Sequence, residues 1–170
     1  QKIKTVHVTG TNGKGSVTSM ITNILLAANL KVGKFTSPHL VKYNERINLN
    51  GKDISDEDFA TAITAVKVAA DSVVKKGVCE QPTQFEILTA AAFLYFYLQK
   101  VDYAVIEVGM GGLWDSTNVI TPVVSVITNV ALDHTDRCGK TLERIAMQKA
   151  GIIKEKVPLV TAAEGNEALG

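Results

Sequence analysis

Thr5-Val6-His7-Val8-Thr9 runs directly into Gly10-Thr11-Asn12-Gly13-Lys14-Gly15-Ser16, and this stretch decides the fold. The first five residues are a short β-branched run, which reads as a buried strand. The glycines let the backbone turn tightly and point its N–H groups inward. Beyond them Val17, Met20, Ile21, Ile24, Leu25 and Ala28 recur at helical spacing. A glycine-rich turn between a strand and a helix N-terminus is suited to phosphate, because the helix dipole adds to the free N–H groups. Lys14 supplies a mobile cation for the outer phosphates, and the Ser16 hydroxyl can ligate Mg²⁺. The spacing departs from the common Gly-x-x-x-x-Gly-Lys-[Ser/Thr] loop. Only two residues separate Gly10 from Gly13, and Gly15 stands between Lys14 and Ser16.

Outward from this loop, strand and helix patterns alternate. Strands are expected over Lys31 to Thr36, Tyr103 to Val108 and Val123 to Val130, with one more beginning at Val157. Arg46 to Leu49 and Lys52 to Ile54 flank Asn50-Gly51, a hairpin signal. Helices are expected from Asp56 through Val74, from Gln84 to Gln99 (apolar on most faces, hence buried) and from Thr141 to Ala150, with Leu142, Ile145 and Ala146 inward. Nearly continuous apolar strands suit a sheet covered on both faces. The fold expected is a doubly wound, mostly parallel α/β sheet with a small β-hairpin insertion. Ligands of such sheets gather at the carboxyl ends of the strands.

Composition removes several classes of function. The net charge is +1, so no overall field points to nucleic acid or to an acidic membrane. The apolar stretches are too short and too interrupted to span a bilayer. Neither a leader peptide nor a membrane partner is expected. Cys79 and Cys138 lie far apart without metal-ligand spacing, which fits a reducing cytoplasmic setting. The chain opens at Gln1 without an initiator Met, as a segment of a longer protein or a processed chain would.

Four further segments carry candidate chemistry. Ser37, in Phe35-Thr36-Ser37-Pro38-His39-Leu40, is either a turn cap or a ligand. Glu107 ends an apolar strand, where a carboxylate needs a metal or an ion-pair partner. His134 follows the strand that begins at Val123, again at a carboxyl end. Lys149 sits one turn after Ile145 near the buried stripe, where a lysine commonly snorkels. Pro82-Thr83-Gln84-Phe85-Glu86 opens a helix and reads as a cap with an acidic first turn. His7 is expected to be a packing histidine, and His39 has no assigned role.

Gly10 to Ser16 resembles the ATP-binding signature of the folate branch of the Mur ligase superfamily, the folylpolyglutamate and dihydrofolate synthases. Muramyl ligases usually carry Thr where Gly15 stands. Asn44-Glu45-Arg46-Ile47, Glu107-Val108-Gly109-Met110-Gly111-Gly112, Asp115-Ser116-Thr117-Asn118 and Asp133-His134 are similar to segments of the same family. Leu113-Trp114 replaces the more frequent Arg-Leu, and Cys138 stands where Leu is common.

The resemblance implies an ATP- and magnesium-dependent ligase joining L-glutamate to dihydropteroate or a reduced folate. It implies two Mg²⁺ held by Ser16, Ser37, Glu107 and His134, with Lys14 on ATP, and a carbamylated Lys149. It implies that Thr83, Gln84, Phe85 and Glu86, with Trp114, Asp115 and Ser116, hold the pterin. A carboxylate such as Asp115 or Glu86 can accept paired hydrogen bonds from an aminopyrimidine. Residues 1–170 are then an incomplete ATP-binding domain without its C-terminal glutamate-ligase domain. The isolated chain is expected to be monomeric and to bind phosphate without ligating. A cell-wall ligase of the same superfamily and a non-catalytic nucleotide-binding module are the competing readings.

Overall fold

A computed structural model describes residues 3–132 and 141–164. Seven strands form one sheet: β1 (Lys4–Thr9), β2 (Val32–Phe35), β3 (Ile47–Leu49), β4 (Lys52–Asp53), β5 (Tyr103–Glu107), β6 (Val124–Ile127) and β7 (Leu159–Thr161). Their order is β4-β3-β2-β5-β1-β6-β7. The helices are α1 (Lys14–Ala27), α2 (Asp56–Lys75), α3 (Gln84–Leu98) and α4 (Leu142–Ala150). β2, β5, β1, β6 and β7 pair in parallel, while the β3–β4 hairpin joins β2 antiparallel. The expected insertion is therefore an edge extension of the main sheet. Its Asn50-Gly51 turn places both residues at positive φ, 50° and 82°.

The alternation along β1 and β5 separates two cores. Val6, Val8, Val32, Val105 and Val126 pack under α1 through Val17, Ile21 and Leu25. Ala104 and Ile106 lie on the opposite face, with Phe35, Ile47, Ala91 and Phe96. There α3 approaches β2 so closely that a Cβ on Gly33 would stand 2.6 Å from the Phe96 ring. Phe96 is fully buried, worth roughly 1.5–3 kcal/mol of apolar transfer. A third cluster joins Ile127, Val130 and Ile145 with Met110, Leu142 and Ala146, so the inner face of α4 is the one its sequence indicates.

Several elements differ from expectation. Met20 and Ile24 of α1 are exposed, at 64% and 68%, while Thr18 and Thr22 are buried. The apolar arc of α1 is wider than its contact with the sheet, and Thr22 tolerates burial by donating to the Thr18 carbonyl at 2.8 Å. On α3, Tyr97 and Leu98 are exposed, so burial stops short of the helix end. Arg46 belongs to a single-turn 3-10 helix, Tyr43–Arg46, and the strand starts at Ile47. The run from Val123 leaves the sheet after Ile127, because Thr128 and Asn129 turn to bond the glycine-rich loop.

Candidate active site

The carboxyl ends of β1, β5 and β6 meet at the glycine-rich loop. Gly13, with φ 79°, caps α1, and the lysine and serine that follow open its first turn. Gly10 adopts φ 151° and a Cβ there would lie 1.8 Å from Thr128 Oγ1. This contact belongs to a clamp from the end of β6. Asn129 Oδ1 accepts from the N–H groups of Thr11 and Asn12 at 3.1 and 2.8 Å. Thr128 Oγ1 donates to the Asn12 carbonyl at 2.6 Å, and the Thr11 hydroxyl bridges both backbone groups of Ala131. The first half of the loop is thereby fixed by protein. Lys14 Nζ donates to the carbonyls of Gly10 and Thr11, at 3.0 and 3.1 Å.

Glu107 ends β5 on the α1 face. It is only 4% exposed, and its Oε2 lies 3.6 Å from where a Cβ on Gly15 would be. That oxygen accepts from the Ser37 N–H at 3.2 Å. Burial pushes the carboxyl pKa up, opposed by the Ser37 bond and by the charges of Lys14 and Lys34. Magnesium fits this environment: Glu107 is a buried carboxylate at the phosphate loop, and hard cations take oxygen donors.

The strap between β2 and β3 is organised by Glu45. Its carboxylate accepts from the N–H groups of Leu40, Val41 and Lys42, which lowers its pKa. Arg46 Nε donates to His39 Nδ1 at 2.9 Å. His39 therefore shapes the strap.

Beside these residues opens a cavity of about 600 Å³. Lys14, Ser37 and Arg46 line one side, and Phe85, Trp114, Asp115 and Ser116 line another. Phe85 packs on Phe35 at 5.9 Å, whereas Trp114 is 83% exposed at the rim. Asp115 caps the single-turn 3-10 helix Ser116–Val119: Oδ1 accepts from Thr117 N and Oγ1, and Oδ2 from Met110 N. Thr83, Gln84 and Glu86 do not line this cavity. Thr83 and Glu86 form a capping box at the start of α3, which lowers the Glu86 pKa through Thr83. Gln84 donates to the Tyr43 hydroxyl at 2.7 Å.

Lys149 is 4% exposed, so it does not snorkel to solvent. His134 and Cys138 fall outside the described residues. Lys14, Ser37 and Glu107 share one corner of the sheet. Asn129 and Gln148 carry no functional signal in the sequence. An isolated Asn after an apolar strand carries no recognisable signal, and Gln148 lines the cavity from the C-terminal part of α4. No helix among the described residues is long and apolar enough to cross a membrane.

The chain is similar to known proteins in sequence and in fold. The dihydrofolate synthase/folylpolyglutamate synthase of Bacillus subtilis is 49% identical over 99% of this chain, which spans 39% of that protein. The folylpolyglutamate synthase of Lacticaseibacillus casei is 48% identical over 95% of the chain and 38% of its own length. A structure described as an FPGS-AMPPCP-folate complex superposes with a TM-score of 0.95 and 46% identity, covering 99% of this chain and 42% of that one. The Mur ligase middle domain model matches residues 8–163, and the chain belongs to that family.

Proposed function

We propose that the protein containing this domain is an ATP- and magnesium-dependent ligase that joins L-glutamate to dihydropteroate, to a reduced folate, or to both. One observation carries this reading. Lys14 of the phosphate loop and the aromatic, acidic side formed by Phe85, Trp114 and Asp115 line the same cavity. A triphosphate and a flat heteroaromatic acid can meet there.

A carboxylate oxygen of the pteroyl or folyl substrate attacks the γ-phosphorus, and the bond to the β,γ-bridging oxygen breaks to release ADP. The amine of glutamate then attacks the acyl carbon of the acyl phosphate. The carbon–oxygen bond to phosphate breaks, and the nitrogen loses its proton. Phosphoryl transfer needs positioning and charge neutralisation above all. The N–H groups at the start of α1 bind phosphate, and Lys14 exchanges its two carbonyl partners for the outer phosphates. Ser16, Ser37, Glu107 and His134 would hold Mg²⁺, two ions in all. The metal would neutralise charge on the transferring phosphoryl group. Lys149, as a carbamate, would present an anion from α4 to this corner.

Phe85 and Trp114 offer ring faces and Asp115 an acceptor to the pterin. Arg46 adds a second cation to the cavity wall. The adenine and glutamate sites, and a C-terminal ligase domain, belong to the remainder of the protein. Incorporation of labelled glutamate by the full-length protein, with ATP and either dihydropteroate or a muramyl nucleotide, tests the reading. Incorporation with dihydropteroate is expected. Incorporation with the muramyl nucleotide alone would move the protein to cell-wall synthesis.

A further inference from the structure

We propose that His7 and Thr117 are positioning residues that hold the Asp115 carboxylate toward the cavity and leave it one acceptor site for a ligand. The inference rests on the proposed reading of the cavity as a heteroaromatic site.

His7 lies in the central strand β1, on the face opposite α1, and neither it nor Thr117 has any exposed surface. His7 Nε2 stands 2.8 Å from Thr117 Oγ1, and Thr117 Oγ1 stands 2.5 Å from Asp115 Oδ1. A hydroxyl has one proton, and the short contact to a carboxylate fixes where it points. Thr117 therefore donates to Asp115 and must accept from His7, which makes His7 the Nε2–H form. The other tautomer would bury an unpaired N–H and set two lone pairs against each other. In the assigned form the only orphan is the Nδ1 lone pair, and that atom has no partner. Orphaned acceptors are tolerated better than orphaned donors. Burial, with the nearby charge of Lys154, lowers the His7 pKa from 6.5 to about 3, so the ring stays neutral and the direction of the relay does not change near neutrality.

An ionised carboxylate offers about four acceptor sites. Three are occupied on Asp115, by Thr117 N at 3.0 Å, Thr117 Oγ1, and Met110 N at 2.9 Å to Oδ2. The fourth is on Oδ2. Asp115 thus receives one N–H of a ring, and the paired bonding to an aminopyrimidine expected from sequence would displace a bond to Thr117 or Met110.

Binding of dihydropteroate and of a non-hydrolysable ATP analogue to the full-length protein, by calorimetry, tests this. Thr117→Val keeps shape and removes the hydroxyl; its dihydropteroate affinity should fall about tenfold, with a matching rise in KM and little change in kcat. Thr117→Ser should stay within about twofold of the parent, and nucleotide affinity should be unchanged in both. His7→Gln, which keeps a donor, should retain more pterin affinity than His7→Phe. A folded Thr117→Val that binds dihydropteroate like the parent overturns the proposal, and so does a Thr117→Ser as weak as Thr117→Val. If the parent itself does not bind dihydropteroate, the ligand class falls, and the relay is judged by nitrogen-15 NMR. The relay requires the Nε2–H form of His7 and a shifted Met110 amide in Thr117→Val; a protonated Nδ1 or an unmoved amide overturns it.

Discussion

The two halves of the candidate site are built in opposite ways. The phosphate side is a contiguous loop whose first half is tied down by Thr128, Asn129 and Ala131. The cavity side is assembled from β2's strap, the start of α3 and the segment after β5, with Trp114 exposed at its rim. A loop whose backbone is held by two or three neighbouring side chains depends on few residues. A wall assembled from distant segments depends on the core that orients them. Changes in the first should alter nucleotide binding alone, and changes in the second should alter pterin binding alone.

The largest break in the comparison is expected from Lys14→Ala, which removes a charge-assisted donor from the phosphates. ATP affinity should fall about 10- to 100-fold by calorimetry, with dihydropteroate affinity retained. Equal loss of both would mean that the halves are not separate. Next comes Asn129→Ala, which strips the Asn12 N–H of its acceptor and leaves the Thr11 N–H only the backbone carbonyl of residue 129. A loss of about 1–3 kcal/mol is expected, shared between stability and nucleotide affinity. Denaturant melts with and without ATP analogue separate the two, and an unaffected protein would mean that Asn129 does not clamp the loop.

The pH dependence comes from His7. Its folded pKa of about 3 lies below the ordinary 6.5, so between these values the unfolded chain binds the extra proton. Stability is therefore full above about pH 6.5 and falls as pH drops toward 3. His7→Gln should flatten that limb in urea melts at a series of pH values; an unchanged limb would contradict a buried neutral His7. The smallest effect is expected from Thr83→Ala. Loss of the capping box should cost about 1 kcal/mol of stability and leave both ligands' affinities intact. A selective fall in pterin affinity would return Thr83 and Glu86 to the binding site.

The same contrast governs what the sequence discloses. The phosphate loop is legible because its chemistry is contiguous and lies between a β-branched run and a helical period. The doubly wound, mostly parallel character of the sheet follows from the same alternation, whereas the order of its strands appears only in the fold. Glu107 is legible as a charge in an apolar strand. Asn129 is not, because its role comes from a chain turn that only the paired β1 and β6 create. His7 reads as packing, which its burial supports, but its bond to Thr117 spans 110 residues and leaves no local pattern. Met20 and Ile24 mislead for a related reason: helical spacing marks an apolar arc without saying how much of it the sheet covers. Thr83 and Glu86 satisfy a capping pattern and a resemblance at once, and their side chains bond to each other.

The proposed metal–nucleotide site joins Glu107 to the phosphate loop. Affinity for a non-hydrolysable ATP analogue, titrated against Mg²⁺ in the parent and in Glu107→Gln, tests it most directly. Affinity should rise with Mg²⁺ in the parent, and the response should be largely lost in Glu107→Gln. An identical magnesium response in both proteins would contradict it.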